Sequence, residues 1–259
     1  MKLKVSCVVL MAATWVVSPA FAQASAPVAA SGASANPVDP ASVDALKKMG
    51  TYLQTLKRFT VSIELTGERV LQDGQKLQHS ANADLDVDRP NHIRTVMSSS
   101  RGTREIIFDG KTVTLYSPTQ KYYSTASLDG TIATLIGKLH DDFGVEFPLA
   151  DLFVWGTPDA PTQQFDSAMY AGQDYIGADL CDHYAFRQSG IDWQIWIKSG
   201  STPLPRKLVI TRRDDEARPQ SVSVITWGMH PSFSDSVFAF HPPAGAKKIE
   251  IVPLAANKG

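Results

Sequence analysis

The sequence predicts an α+β protein in which helices pack against one large, curved antiparallel sheet. Three observations support this class. A helical pattern of apolar residues follows Asp39, two long series of alternating apolar and polar residues come next, and a second helical stretch at 128–155 separates them. Strands in each series follow one another through tight turns, which is typical of antiparallel neighbours. The order of helix, strands, helices and strands therefore indicates an α+β domain.

Residues 1–22 have the pattern of a secretory signal peptide. Two lysines precede an apolar run from Val5 to Val17, and Ala20-Phe21-Ala22 supplies a small-x-small cleavage site. The run is too short for a standard membrane span, so we expect no transmembrane anchor after cleavage. The sequence thus predicts export to the periplasm, cleavage after Ala22 and a mature chain that begins at Gln23.

The rest of the chain divides by composition. Residues 23–38 are uncharged and rich in Ala, Ser, Pro and Gly, which predicts a flexible leader. We expect a single domain at 39–254 and a short tail at 255–259. After loss of two signal-peptide lysines, 23 basic residues face 26 acidic ones, a formal charge of −3. This balance argues against nucleic acid or anionic membranes as partners, and we expect a monomer.

The first helix is predicted from Asp39 as N-cap and Pro40 as its first residue to about Phe59, because apolar residues recur at helical spacing. A run of strands follows it, with turns at Asp73-Gly74, Arg89-Pro90-Asn91 and Asp109-Gly110. The predicted strands cover residues 61–65, 77–87, 93–97, 106–108 and 113–116, with another extended piece starting at residue 121.

Helical spacing returns at Leu128–Phe143, and a proline-broken stretch at 147–155 predicts a short helix. The last third is again extended. Its predicted strands are 170–176, 183–188, 191–198, 208–213 and 221–227. Of these, IDWQIWI at 191–197 is the most informative, since Ile191, Trp193, Ile195 and Ile197 fall on one face.

This wide apolar face admits two interpretations. Trp193 on the strand, with Phe147, Phe153 and Trp155 from the short helical segment, can form an ordinary core, stabilised by about 25 cal/mol per Å² of apolar surface buried. Alternatively, the same four residues line a cavity for an apolar ligand beneath the helices. We take these four as the candidate ligand-binding residues.

Motifs of catalysis or cofactor binding are absent from the sequence. GxSxG, GxxxxGK[ST], GxGxxG, HExxH and CxxC do not occur after the signal peptide, and no two histidines have a spacing that would place both on one metal. Asp84, Asp86 and Asp88 alternate along one strand and are interpreted as a solvated face, because same-face neighbours lie about 7 Å apart. Cys181, the single mature cysteine, is interpreted as a small buried side chain. We expect no catalytic residue, no metal and no cofactor.

Several segments together resemble a family of predicted periplasmic proteins, the domain-of-unknown-function 2092 family. They are CDHYAF at 181–186, DWQIWI at 192–197, LPRK at 204–207 and FHPPAGA at 240–246, and the likeness runs from about Asp39 to Ile251. The family is similar to the outer-membrane lipoprotein carriers, the LolA-like superfamily. That resemblance implies a half-open, strongly curved antiparallel sheet with helices on its concave face. Neither Arg94 nor Arg104 aligns with the arginine latch of those carriers, so the resemblance implies the architecture rather than lipoprotein trafficking.

We therefore expect a non-enzymatic periplasmic protein that binds or carries a hydrophobic ligand in an apolar cavity under the helices. The ligand would be a lipid, an acyl chain or an acylated protein. The alternative is a structural or protein-interaction module of the envelope, which would dock through the outward-facing Trp196 or an open sheet edge. A third hypothesis is a hydrolase without a recognisable motif.

Overall fold

The computed structural model describes residues 37–145, 147, 149–158, 160 and 164–250. The predicted signal peptide, the leader up to residue 36 and the predicted tail at 255–259 lie outside these residues. No helix within the described ranges is long and apolar enough to cross a membrane.

Within the described chain, helices and strands follow the predicted order. The helices are α1 Pro40–Thr55, α2 Ile132–Phe143, α3 Asp151–Val154 and a 3-10 helix Asp235–Phe238. The strands are β1 Arg58–Val70, β2 Lys76–Asp88, β3 His92–Ser99, β4 Gly102–Phe108, β5 Thr112–Ser117, β6 Tyr122–Ser127, β7 Ser167–Ile176, β8 Asp179–Gln188, β9 Ile191–Lys198, β10 Pro205–Arg212, β11 Gln220–Gly228 and β12 Lys247–Lys248.

All twelve strands belong to one sheet, in the order β12-β6-β5-β4-β3-β2-β1-β11-β10-β9-β8-β7. The sheet consists of two antiparallel meanders, β1–β6 and β7–β11, that meet where β1 pairs with β11. The short β12 adds in parallel to β6. Since β12 and β7 do not pair with each other in the described residues, the curved sheet stays open. The predicted fold class is confirmed.

Helix α1 begins as predicted and ends earlier. The Asp39 carboxylate accepts hydrogen bonds from the backbone N–H groups of Ala41 and Ser42, and Pro40 occupies the first turn. The helix ends at Thr55 rather than near Phe59. Phe59 instead begins the inward face of β1, where it is 2% exposed, so its burial in the sheet outweighs its helical spacing in the sequence.

The middle of the chain forms the second and third helices. A capping box between Thr131 and Thr134 starts α2, four residues later than predicted, and Gly144 ends it in the left-handed conformation with φ of 61°. Leu128, where the helix was predicted to begin, instead donates its backbone N–H to the Lys111 carbonyl. The predicted short helix in 147–155 is α3.

Pro37 and Val38, the last two residues of the predicted leader, contact the sheet. The Ala168 backbone N–H on β7 donates to the Pro37 carbonyl, and the Asp39 N–H donates back to the Ala168 carbonyl. Val38 thereby forms a parallel bridge with Ala168. These contacts hold the chain just before α1 against β7.

Arg89, in the turn between β2 and β3, connects the sheet to two helices. Its guanidinium donates to the Gln54 side-chain oxygen of α1 and to the Leu152 carbonyl of α3, each at 3.3 Å. The Gln54 amide donates in turn to the Trp155 carbonyl at 2.6 Å. Burial lowers the pKa of Arg89. The sequence interpretation considered Arg94 and Arg104 for a link of this kind, and the structure gives it to Arg89.

Candidate ligand-binding cavity

A cavity of about 770 Å³ lies on the concave face of the sheet, between strands β3–β6 and the C-terminal end of α2. Its apolar wall comes from side chains of four strands, from the end of α2 and from the segment after β12. These are Met97, Ile106, Leu115, Tyr122, Phe143, Val145 and Ile249. A space of this size and lining is within the range of small-molecule binding sites.

The strand register explains why space remains at this position. Deep in the fold, the paired positions Ile93, Phe108, Val113 and Ala126 form one row across β3–β6, and the first three are almost fully buried. One row nearer the rim, the paired positions are Thr95, Ile106, Leu115 and Ser124. Thr95 and Ser124 are short, and Thr95 stands where the deeper row has the larger Ile93. The cavity is therefore a product of small residues at inward-facing positions.

Thr95 lies on this wall, but its hydroxyl is not part of the open surface. Its side chain is 2% exposed, and its hydroxyl is buried without a hydrogen-bond partner among the described residues. A buried hydroxyl without a partner destabilises a protein by roughly 1–3 kcal/mol. Because this oxygen is inaccessible to water, the cavity does not reach it in this structure.

Next to the rim lies a smaller cavity of about 210 Å³ with a polar lining. It shares Met97, Arg104, Ser117 and Gln120 with the large cavity. Arg101, in the turn between β3 and β4, also lines it. The two spaces are thus contiguous, one largely apolar and the other carrying two guanidinium groups.

The charges around the cavities are distributed unevenly. Glu105, beside Arg104 in sequence, accepts from the Arg94 guanidinium at 3.0 Å, and Asp86 lies 3.9 Å from the same guanidinium. Burial raises the pKa of Asp86, partly offset by Arg94. The guanidinium groups of Arg101 and Arg104, in contrast, have no ion pair or hydrogen bond within the described ranges.

The four residues predicted to bind ligand lie in the main core and are not among the residues that line either cavity. Trp193, Phe147, Phe153 and Trp155 are all less than a tenth exposed. Trp193 stacks on Phe186 at a ring distance of 4.4 Å, and its indole N–H donates to the Gln188 side chain. Ligand contact by these residues stays a prediction.

Trp196 faces outward, as the alternation indicated, and yet it is 6% exposed. Its ring stacks on His183 at 4.0 Å, Lys207 covers it at 4.5 Å, and its indole N–H donates to Asp174. The interpretation of Trp196 as an exposed docking surface is therefore wrong. Cys181 lies in the same small outer cluster, fully buried as predicted, and burial raises the pKa of its thiol.

The acidic strand β2 lacks the geometry of a cation site. Asp84 is exposed and accepts the Ser62 hydroxyl, while Asp88 pairs with Arg58. In the described part of the chain, no group of three or more His, Cys, Asp or Glu side chains is arranged to hold a metal ion.

An open, curved antiparallel sheet with helices and a cavity on its concave face defines a structural class rather than a chemistry. Within this class, the chain belongs to the family described as predicted periplasmic proteins of domain of unknown function 2092, which it matches over residues 42–252. No curated protein matches the chain.

Several solved structures are similar in fold at low sequence identity. LprF from Mycobacterium bovis has a TM-score of 0.44 and 14% identity, over 77% of this chain and 98% of its own. The lipoprotein LppX from Mycobacterium tuberculosis has a TM-score of 0.45 and 11% identity, over 75% and 98%. A LolA superfamily protein from Nitrosomonas europaea has a TM-score of 0.35 and 9% identity, over 77% and 97%.

Proposed function

We propose that this protein is a non-enzymatic carrier or sensor, exported to the periplasm, that binds an amphiphile with its apolar chain in the 770 Å³ cavity. The observation that carries the proposal is the cavity itself, since its wall is built mainly from apolar side chains on the concave face. Each methylene transferred from water into such a space contributes about 0.8 kcal/mol. Lipids, free acyl chains and acylated proteins all supply such a chain.

The position of the cavity also supports binding of a long chain. One side of the cavity is the sheet, in which each strand is held in register by its neighbours. The other side includes the end of α2, where Gly144 turns the chain so that Phe143 and Val145 both line the cavity. A preformed wall loses little conformational freedom when the ligand enters. The protein therefore binds the proposed ligand without refolding.

Substitution of Ser124 tests the proposal. Ser124 lines the cavity and is 6% exposed, so Ser124→Phe places a ring in the cavity, whereas Ser124→Ala leaves it open. At roughly 100 times its Kd, a bound ligand stabilises the wild type by about 2.7 kcal/mol, which raises the melting temperature by roughly 5–10 °C. We expect this shift in the wild type and in Ser124→Ala, and its loss in Ser124→Phe.

Thermal melts with palmitate, monopalmitoylglycerol and phospholipids measure the shift, and mass spectrometry of an organic extract of protein purified from the periplasm identifies what is bound. The absence of a shift with every amphiphile, together with an extract free of lipid, would overturn the carrier proposal.

One observation favours the alternative, an interaction module. Strand β7 is an edge of the sheet, and its exposed side chains include Met169, Tyr170 and Tyr175, the last 72% exposed. An open edge with apolar side chains can accept a strand from a partner. This function takes first place if the melts and the extract give the negative result.

A further inference from the structure

We infer that the ligand is an amphiphile with an anionic head group, held by Arg101 and Arg104 at the rim while its chain occupies the cavity. The inference rests on the proposed function and names the chemical class of ligand. It comes from the arrangement of polar and charged groups around the two contiguous cavities.

The concave face of the β3–β4 hairpin changes from apolar to cationic in regular steps. Its paired positions run from Ile93 with Phe108, through Thr95 with Ile106 and Met97 with Arg104, to Ser99 with Gly102 at the hairpin end. Successive rows lie about 7 Å apart, because two residues of a strand span that distance. An extended amphiphile that follows this face places its chain against the inner rows and its head group at the outer ones.

The two rim arginines are suited to an anion because their guanidinium groups are unpaired in the described residues. Arg94, one strand away from Arg104, shows the contrast, since it contacts Glu105 at 3.0 Å and Asp86 at 3.9 Å. A guanidinium offers several N–H donors in a plane and matches carboxylate or phosphate oxygens. Arg101 and Arg104 both line the small polar cavity, so one head group can contact both.

The nearby acidic groups do not neutralise this site. Glu105 already pairs with Arg94. Glu250 follows β12, which is the third strand from β4 in the sheet. Because neighbouring strands are spaced by about 4.8 Å, several strand spacings separate β12 from Arg104 on β4. No carboxylate lies within ion-pair distance of Arg101 or Arg104 in the described residues, and the small cavity that both line has no acidic residue in its lining.

A set of ligands with one chain and different head groups tests the inference. Palmitate carries a carboxylate, palmitoyl-lysophosphatidate a phosphate, and monopalmitoylglycerol no charge. Affinities are measured by displacement of a fluorescent acyl probe from the wild type. An anionic ligand should bind at least about tenfold more tightly than the neutral one, because charge-assisted hydrogen bonds to the guanidinium groups stabilise its complex. A preference for one of the two anions identifies carboxylate or phosphate as the head group.

Variants then assign the preference to residues. Arg101→Gln and Arg104→Gln should each weaken anion binding several-fold, and the double variant should bind anionic ligands and monopalmitoylglycerol with similar affinity. Arg69→Gln is the matched control, because Arg69 is an exposed β1 residue outside both cavities. Higher salt should reduce the wild-type preference and leave the double variant unaffected.

The outcomes separate the two proposals. Equal binding of neutral and anionic ligands by the wild type, or a preference that survives in the double variant, overturns the head-group assignment and leaves the carrier function standing. Binding of no ligand at all overturns both. The wild-type ligand series needs no substitution, so a variant that fails to fold does not affect that comparison.

Discussion

Trp193 illustrates how an aromatic residue that suits a ligand site in sequence is used in the structure as core. Its ring packs with those of Phe186 and Phe165, at ring distances of 4.4 and 6.2 Å, and the indole N–H donates to Gln188. A large aromatic residue with every polar group satisfied and little surface exposed contributes mainly to stability.

Trp193→Ala should therefore lower the free energy of unfolding by about 3–5 kcal/mol, the usual loss when a buried aromatic side chain is removed. As a core residue, Trp193 should show this loss with or without lipid, and the ligand-induced stabilisation should be unchanged. Urea unfolding of wild type and variant, each with and without palmitate, measures both quantities. A small loss in the ligand-free protein with a reduced lipid effect would instead assign Trp193 to the ligand, as the sequence interpretation proposed.

At the scale of elements, α1 and the segment after α3 approach each other through two glycines. A Cβ atom on Gly50 of α1 would lie 2.5 Å from the Gly156 backbone nitrogen and 2.9 Å from its Cα. Gly156 has φ of +83°, a conformation that other residues rarely adopt. The contact lies next to the bond from Gln54 to Trp155, so backbone packing and a side-chain hydrogen bond fix the same junction.

Two glycine substitutions in helices should consequently have opposite effects. Gly50→Ala should destabilise by roughly 1–3 kcal/mol, because the overlap with Gly156 exceeds the helix-propensity gain. Gly137→Ala in α2, where a Cβ meets nothing within 4 Å, should stabilise by about 0.5–1 kcal/mol. Chemical unfolding of both variants checks the pair. Stabilisation by both alanines would mean that the α1–α3 junction yields to accommodate a methyl group.

A helix or strand could be predicted from the sequence where the residues that determine it are close together in the chain. The alternation in β9 and the N-cap of α1 involve residues that are close in sequence, and these predictions are confirmed. The end of α1 was predicted too late because Phe59 fits a helical spacing and only the sheet reveals its inward position.

The cavity could not be predicted in this way. It depends on Thr95 and Ser124 being placed in one row by the register of four strands, and on α2 ending beside that row. The bulky residues that the sequence analysis selected lie in the packed part of the fold. The cavity instead lies where inward-facing residues are small.

For the molecule as a whole, the predicted export determines where any ligand would be met. The described domain follows a stretch with the pattern of a signal peptide, and the family is described as predicted periplasmic proteins. We expect the exported protein to begin at Gln23, since Ala20-Phe21-Ala22 fits the cleavage pattern. Intact-mass measurement of protein from the periplasmic fraction checks this. A mature protein that retains the apolar run from Val5 to Val17 would contradict it.

The meeting of the two meanders at β1 and β11 has a consequence for how the chain reaches its native state. Within each meander, consecutive strands pair with their neighbours in sequence. The pairing of β1 with β11, for example Ile63 with Ile225, joins parts of the chain that are far apart in sequence. Closing the long loop between these two strands carries an entropic cost that the strand pairs within one meander do not.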